Sequence, residues 1–169
     1  MFTLVSARFN DETWCENLEA RERKQKVCIY GSPQEMSPKI EYNSPVFVVE
    51  MNNSKNQIEG IGLIKNKPDL EKYYRIHSDG NYNRYVYIGN YHIQRNELLE
   101  YNEALVNALD CVLFKGKSHL KRGTGFTTIP EKLMKYDICK DINVKKEIKQ
   151  LFVYHFREKL KQSTYLSSK

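Results

Sequence analysis

Runs and alternations of apolar residues divide this chain into strands and helices. Residues 2–7 carry β-favouring types and predict an opening strand. Residues 11–26 read as a helix capped by Asp11, with Trp14 and Leu18 on one face and charged positions elsewhere. Residues 27–30 make a short strand, closed by Gly31-Ser-Pro33. Residues 31–45 hold three of the five prolines and predict an irregular, ordered loop. Residues 45–51 are β-branched and continuous, as in a strand buried on both faces, and residues 57–64 return antiparallel after a five-residue turn. Gly60 and Gly62 lie two apart, which puts them on one face of that strand. A bare strand face marks a bulge, a bend or the close approach of another group.

Further along, residues 72–76 and 84–88 pattern as a strand pair around the polar turn Ser78-Asp-Gly-Asn81, and residues 91–94 extend the sheet. Residues 97–112 place Leu98, Leu105, Leu109 and Val112 on one helical stripe. A short helix starts near Pro130, and a last one runs from Asp141 to about Gln162, with Ile148, Leu151, Phe152 and His155 on its buried face. The expected fold is α+β: a mostly antiparallel, barrel-like sheet with flanking and C-terminal helices. At 169 residues it is read as a single domain, sheet-rich over 1–95 and helical with a basic loop over 96–169.

Composition sharpens this picture at two points. The formal charge is +6, and the chain has 12 Tyr and 7 Phe against one Trp, so stacking surfaces and cations are both abundant. Four cations (Lys115, Lys117, Lys121, Arg122) and His119 fall within eight positions, punctuated by Gly116, Gly123 and Gly125. Such a cluster opposes folding unless something negative sits nearby, and phosphate is the natural partner. Gly116-Lys117-Ser118 is not a nucleotide-hydrolysing phosphate loop, because Cys111 stands where that motif needs its first glycine. The Tyr- and Arg-rich stretch 73–91 adds Arg84 and Tyr85 as base-proximal candidates.

Other chemistry finds little support. The four Cys and four His never cluster at metal-ligand spacing, so neither a metal nor a cofactor is expected. Widely spaced cysteines without a leader-like start read as reduced, mostly buried thiols of an intracellular protein, cytoplasmic or nuclear. No apolar run approaches the roughly 18 residues of a membrane span, so no membrane partner is expected. Glu50 and Glu59, facing each other across the hairpin, are the candidate carboxylate pair should the protein be an enzyme.

The order strand, helix, proline-bearing loop, hairpin and tyrosine-rich strands resembles the PUA-like superfamily, whose EVE, YTH and ASCH branches are small barrels that bind RNA or modified bases. The residues that carry the resemblance are Pro45-Val-Phe-Val-Val-Glu-Met51, Ile58-Glu-Gly-Ile-Gly-Leu-Ile64 and Tyr85-Val-Tyr-Ile88, within about residues 1–95. The resemblance implies a pocket walled by Trp14, Tyr30 and Tyr85, with the basic loop on phosphates. The chain departs from the Trp-rich cage of YTH-type readers, having only Trp14, and lacks the ASCH signature. The expected function is therefore non-catalytic binding of nucleic acid, preferentially single-stranded RNA or a modified base. The alternative is a structural or assembly component, such as a virion protein, whose basic loop docks an acidic protein. An enzyme acting on nucleic acid ranks third.

Overall fold

The computed structural model describes residues 2–167, with side chains described except at 160 and 163–167. Elements follow in the order β1 (Thr3–Phe9), α1 (Asp11–Lys24), β2 (Cys28–Ser32), β3 (Pro45–Asn52), β4 (Gln57–Lys65), β5 (Tyr85–Gly89), β6 (Tyr91–Gln94), α2 (Arg95–Phe114), β7 (Phe126–Thr128) and α3 (Val144–Ser167). Short 3₁₀ turns occupy Gly80–Asn83, Glu131–Lys135 and Asp137–Cys139. The α+β class expected from the pattern is the observed one.

Five strands form one sheet in the order β6-β4-β3-β1-β7, antiparallel throughout except for the parallel β1–β3 pair. Strands β2 and β5 pair only with each other, so the five-stranded sheet stays open and is not closed into a barrel. Strand β3, central and apolar apart from Glu50 and Asn52, feeds two cores. Phe47, Val49 and Met51 join α2 and α3 on one face, while Val46 and Val48 join Trp14, Tyr30 and Tyr87 on the other. Alternation along a two-sided buried strand accounts for that division.

Several expectations shift in detail. Residues 72–76 are not a strand, and β5 pairs with β2 instead. The buried Asn83 side chain accepts hydrogen bonds from the Ile76 and His77 amides at 3.0 and 2.9 Å, so those donors are satisfied without a ladder partner. Helix α1 is capped by Asn10 rather than Asp11: Asn10 Oδ1 accepts from the Thr13 amide at 2.8 Å, and Thr13 Oγ1 accepts from the Asn10 amide at 3.0 Å. Its inward face is Trp14, Asn17, Ala20 and Arg21, and Leu18 is exposed. Helix α3 begins at Val144, where Asn143 rather than Asp141 receives the Lys146 amide at 3.1 Å. The hydrophobic stripes of α2 and α3 are buried as expected, although α2 breaks its helical geometry at Asn102. Strand β7 was not legible, being three residues long. Of the cysteines, Cys28 and Cys139 are buried but Cys15 is exposed.

Candidate nucleic-acid interface

Two features of the sheet face covered by α1 define the site: a buried charge network and the cleft beside it. The network centres on Glu50, fully buried on β3. Arg21 donates to Glu50 Oε1 at 2.6 Å, the Tyr30 hydroxyl donates to the same oxygen at 2.7 Å, and His92 Nε2 lies 3.0 Å from both carboxylate oxygens. Asn17 accepts from Arg21 Nε at 2.7 Å and donates to the Ile29 carbonyl at 2.8 Å, which ties the network to α1 and β2. The Arg21 guanidinium also lies 5.1 Å from the Trp14 ring and 5.6 Å from the Tyr30 ring.

Room for these side chains comes from the bare strand face. A Cβ on Gly62 would fall 2.1 Å from the Tyr30 hydroxyl, and one on Gly60 would fall 2.8 Å from His92 Nε2 and 2.9 Å from Glu50 Oε2. The close approach expected opposite Gly60 and Gly62 is thus made by the protein's own polar groups. Gly62→Ala is expected to lose about 1–3 kcal/mol of stability in urea unfolding, because the methyl must displace a buried, hydrogen-bonded tyrosine. A change below a few tenths would show that Tyr30 moves aside freely.

Burial pushes the Glu50 carboxyl up, but Arg21 and His92 outweigh it and hold its pKa down to about 2. Burial, reinforced by the Glu50 charge, raises the Tyr30 hydroxyl well above its ordinary value and pushes the Cys28 thiol up to about 12. A carboxylate this acidic, with both oxygens engaged, is a poor general base. Nor do Glu50 and Glu59 form a pair. A bulge sets Gly60 opposite Glu50, and Glu59 Oε1 accepts from Asn52 and Gln57 at 3.2 and 3.1 Å.

The cleft, about 420 Å³, opens next to the network between the end of β1, the start of α1, the 77–82 turn and the basic loop. Phe9, Tyr30, Tyr82 and Phe126 supply its aromatic surface. Lys121, Gly123 and Gly125 form one rim, and Glu12, Glu16 and Asp79 stand among the residues of the other walls. The loop is held in place by Arg8, whose guanidinium donates to the Gly123, Leu120 and Gly125 carbonyls at 3.2, 3.3 and 3.1 Å and to Thr127 Oγ1 at 2.8 Å. Asn53 donates to the Lys121 carbonyl at 2.9 Å, while its buried Oδ1 has no hydrogen-bond partner among the described residues. Gly125 has φ +67°, and a Cβ there would lie 2.7 Å from Ser32 Oγ, so only glycine lets the loop pack on β2.

Glu16 on α1 joins the opposite wall together. It accepts from the Ser78 amide at 3.2 Å and from the Ser78 hydroxyl, and it lies 2.8 Å from His77 Nδ1. Burial acts to raise the Glu16 pKa, but these hydrogen bonds leave it below the ordinary value. Serine and histidine both point at the carboxylate rather than at each other, which is not the arrangement of an activated nucleophile.

The residues singled out in the sequence distribute unevenly over this site. Lys121 and Tyr30 line the cleft, and Lys115, Lys117 and Arg122 are exposed on the same loop with no ion pair among the described residues. His119 is half-buried and its Nδ1 accepts from the Lys121 amide at 3.2 Å, so it shapes the loop. Trp14 lies against Phe9, ring centroids 5.1 Å apart, and lines a separate cavity of about 380 Å³ with Leu18, Arg21 and His92. Arg84 is exposed and Tyr85 packs half-buried against the core; neither lines the cleft. Arg8, Asn53 and Phe126 were missed. An arginine ending an apolar strand was the available signal for Arg8. The other two are visible only once β7 is paired with β1.

Among the described residues, no group of three or more His, Cys, Asp or Glu side chains is placed to hold a metal ion, and no helix is long and apolar enough to cross a membrane. Compared with models of protein families, with characterised proteins and with solved structures, the chain gives no match.

Proposed function

We propose that this protein is a non-catalytic, PUA-like nucleic-acid-binding domain that seats one base of a single strand, preferentially RNA, in the cleft beneath the basic loop. The observation that carries this reading is the meeting, in one cleft of nucleotide size, of aromatic faces and the loop cation Lys121, which makes no ion pair among the described residues. Phe126 and Tyr82 offer stacking surface, and Lys121 on the rim offers a cation for the phosphate that follows. A paired base cannot enter such a cleft without leaving its stack, which favours single strands or an extruded, modified base. The packing of the β2–β5 pair against β4 at Gly62 supports the barrel-like part of the reading.

Fluorescence anisotropy of the nuclease-treated protein tests this with single-stranded RNA, single-stranded DNA and duplex DNA across a salt series. Preference for single strands is expected, with a log–log salt slope to which the basic loop contributes the equivalent of about 3 to 5 phosphates. Absence of binding at low salt would move the weight to a protein partner. One observation favours that second reading: helix α3 exposes Val153 and Tyr154 beside Lys146, Lys149 and Arg157.

A further inference from the structure

The wall formed by Glu16, His77 and Ser78 has a second side. Behind it lies another cavity, about 360 Å³, bordered by the same three residues and by Arg23, Lys24 and Arg75. These three cations are exposed and make no ion pair among the described residues. Two of them, Arg23 and Lys24, are nonetheless held in place. Arg23 donates to the Arg75 carbonyl at 2.7 Å, and Lys24 Nζ sits 6.0 Å from the Tyr74 ring. In the irregular segment 73–76, Tyr74 and Ile76 are buried, while Tyr73, 71% exposed, and Arg75 face solvent.

Placement in the last turn of α1 gives Arg23 and Lys24 a favourable position on the helix dipole. That does not explain Arg75, which comes from a different segment and converges on the same cavity. Only Glu19 among the cavity's carboxylates is unengaged, since Glu16 is occupied by His77 and Ser78. A cation cluster from two segments, with the exposed Tyr73 two residues from Arg75 in the chain, suits phosphate and a stacked base.

From this juxtaposition we infer that a single strand seated in the cleft continues over the Glu16–His77–Ser78 ridge, and that Arg23, Lys24 and Arg75 hold the backbone phosphates of the nucleotides beyond it. The inference rests on the cleft reading and extends it. One base is gripped between two cationic patches, the basic loop on one side and the α1 patch on the other, so affinity grows with strand length on both sides of that base.

The test compares wild type with R23A/K24A/R75A on labelled random-sequence RNA 8-mers and on single ribonucleoside monophosphates, by anisotropy and by chemical-shift titration. The triple variant is expected to bind the 8-mer at least about tenfold more weakly and to reduce its salt slope by about 2, at roughly 0.7 for each phosphate no longer neutralised. The ratio of wild-type to variant affinity should rise from the monophosphate to the 8-mer. Glu19→Lys should tighten 8-mer binding, a gain that misfolding does not produce. Unchanged 8-mer affinity in the triple variant, or equal losses on both ligands, overturns the strand path and leaves the cleft reading standing. Failure of the wild type to bind the 8-mer overturns the cleft reading, and the path falls with it.

Discussion

Glu50→Ala is expected to destabilise the fold by about 3–5 kcal/mol, measured by equilibrium urea unfolding, because it strands Arg21 as an uncompensated buried charge. Tyr30 and His92 lose their shared partner in the same step. The pair itself is not required for stability in this way: Glu50→Leu with Arg21→Met, which removes both charges and keeps the volume, should recover much of the loss. Additive losses in the double variant would show that the two groups are not coupled. The same carboxylate sets an acid limit. Its folded pKa of about 2 lies below the ordinary 4.5, so the unfolded chain binds its proton first as pH falls. Its contribution is therefore complete above about pH 4.5 and is lost progressively down to about pH 2. Glu50→Gln should flatten stability across that window. An unaltered pH profile would assign acid unfolding to other carboxylates.

Replacing Lys115, Lys117, Lys121 and Arg122 together with Ala should nearly abolish single-strand binding at physiological salt. Each cation that meets a phosphate contributes roughly 0.7 to the salt slope, so losing four lowers it by about 3. The fold should tolerate the change. Lys115, Lys117 and Arg122 are exposed, and the loop is anchored through its carbonyls by Arg8 and Asn53 rather than through its cations. Relief of like-charge repulsion should even raise stability slightly. Unchanged affinity with an unchanged slope would remove the loop from the interface. Arg8→Ala provides the contrasting case. It keeps the loop cations but releases the Leu120, Gly123 and Gly125 carbonyls and the Thr127 hydroxyl, so it should weaken binding while leaving most of the salt slope intact.

Much of the fold was legible in local pattern. The buried stripes of α2 and α3 follow from periodicity, since burying one face requires its apolar residues at fixed spacing whatever lies opposite. The β3–β4 hairpin follows from two β-favouring runs about a polar turn. For α1 the span was legible but not the inward face, where Asn17 and Arg21 stand and Leu18 is exposed. The bare face at Gly60 and Gly62 was legible for the same reason: two residues apart on a strand means one face. The basic loop could be seen from its charge density alone. Tyr30 and Lys121 do reach one cleft, whereas Arg84, Tyr85 and Trp14 do not line it. Proximity in sequence to aromatic and cationic neighbours says nothing about which way a side chain turns once its strand is paired.

What the sequence by itself determined is the inventory: which segments must bury a face, where two strand positions are empty, and which loop carries unneutralised charge. What only the tertiary structure decided is who meets whom. Asn17, Arg21, Tyr30, Glu50 and His92 come from four separate segments, and nothing in their local spacing announces that one carboxylate will gather them. The same holds for Arg8 and the loop 112 to 119 residues away that it clamps. Such contacts are set by strand register and by the packing of α1 on the sheet. A one-residue slip would turn Glu50 to the opposite face and dissolve the network without altering any local preference.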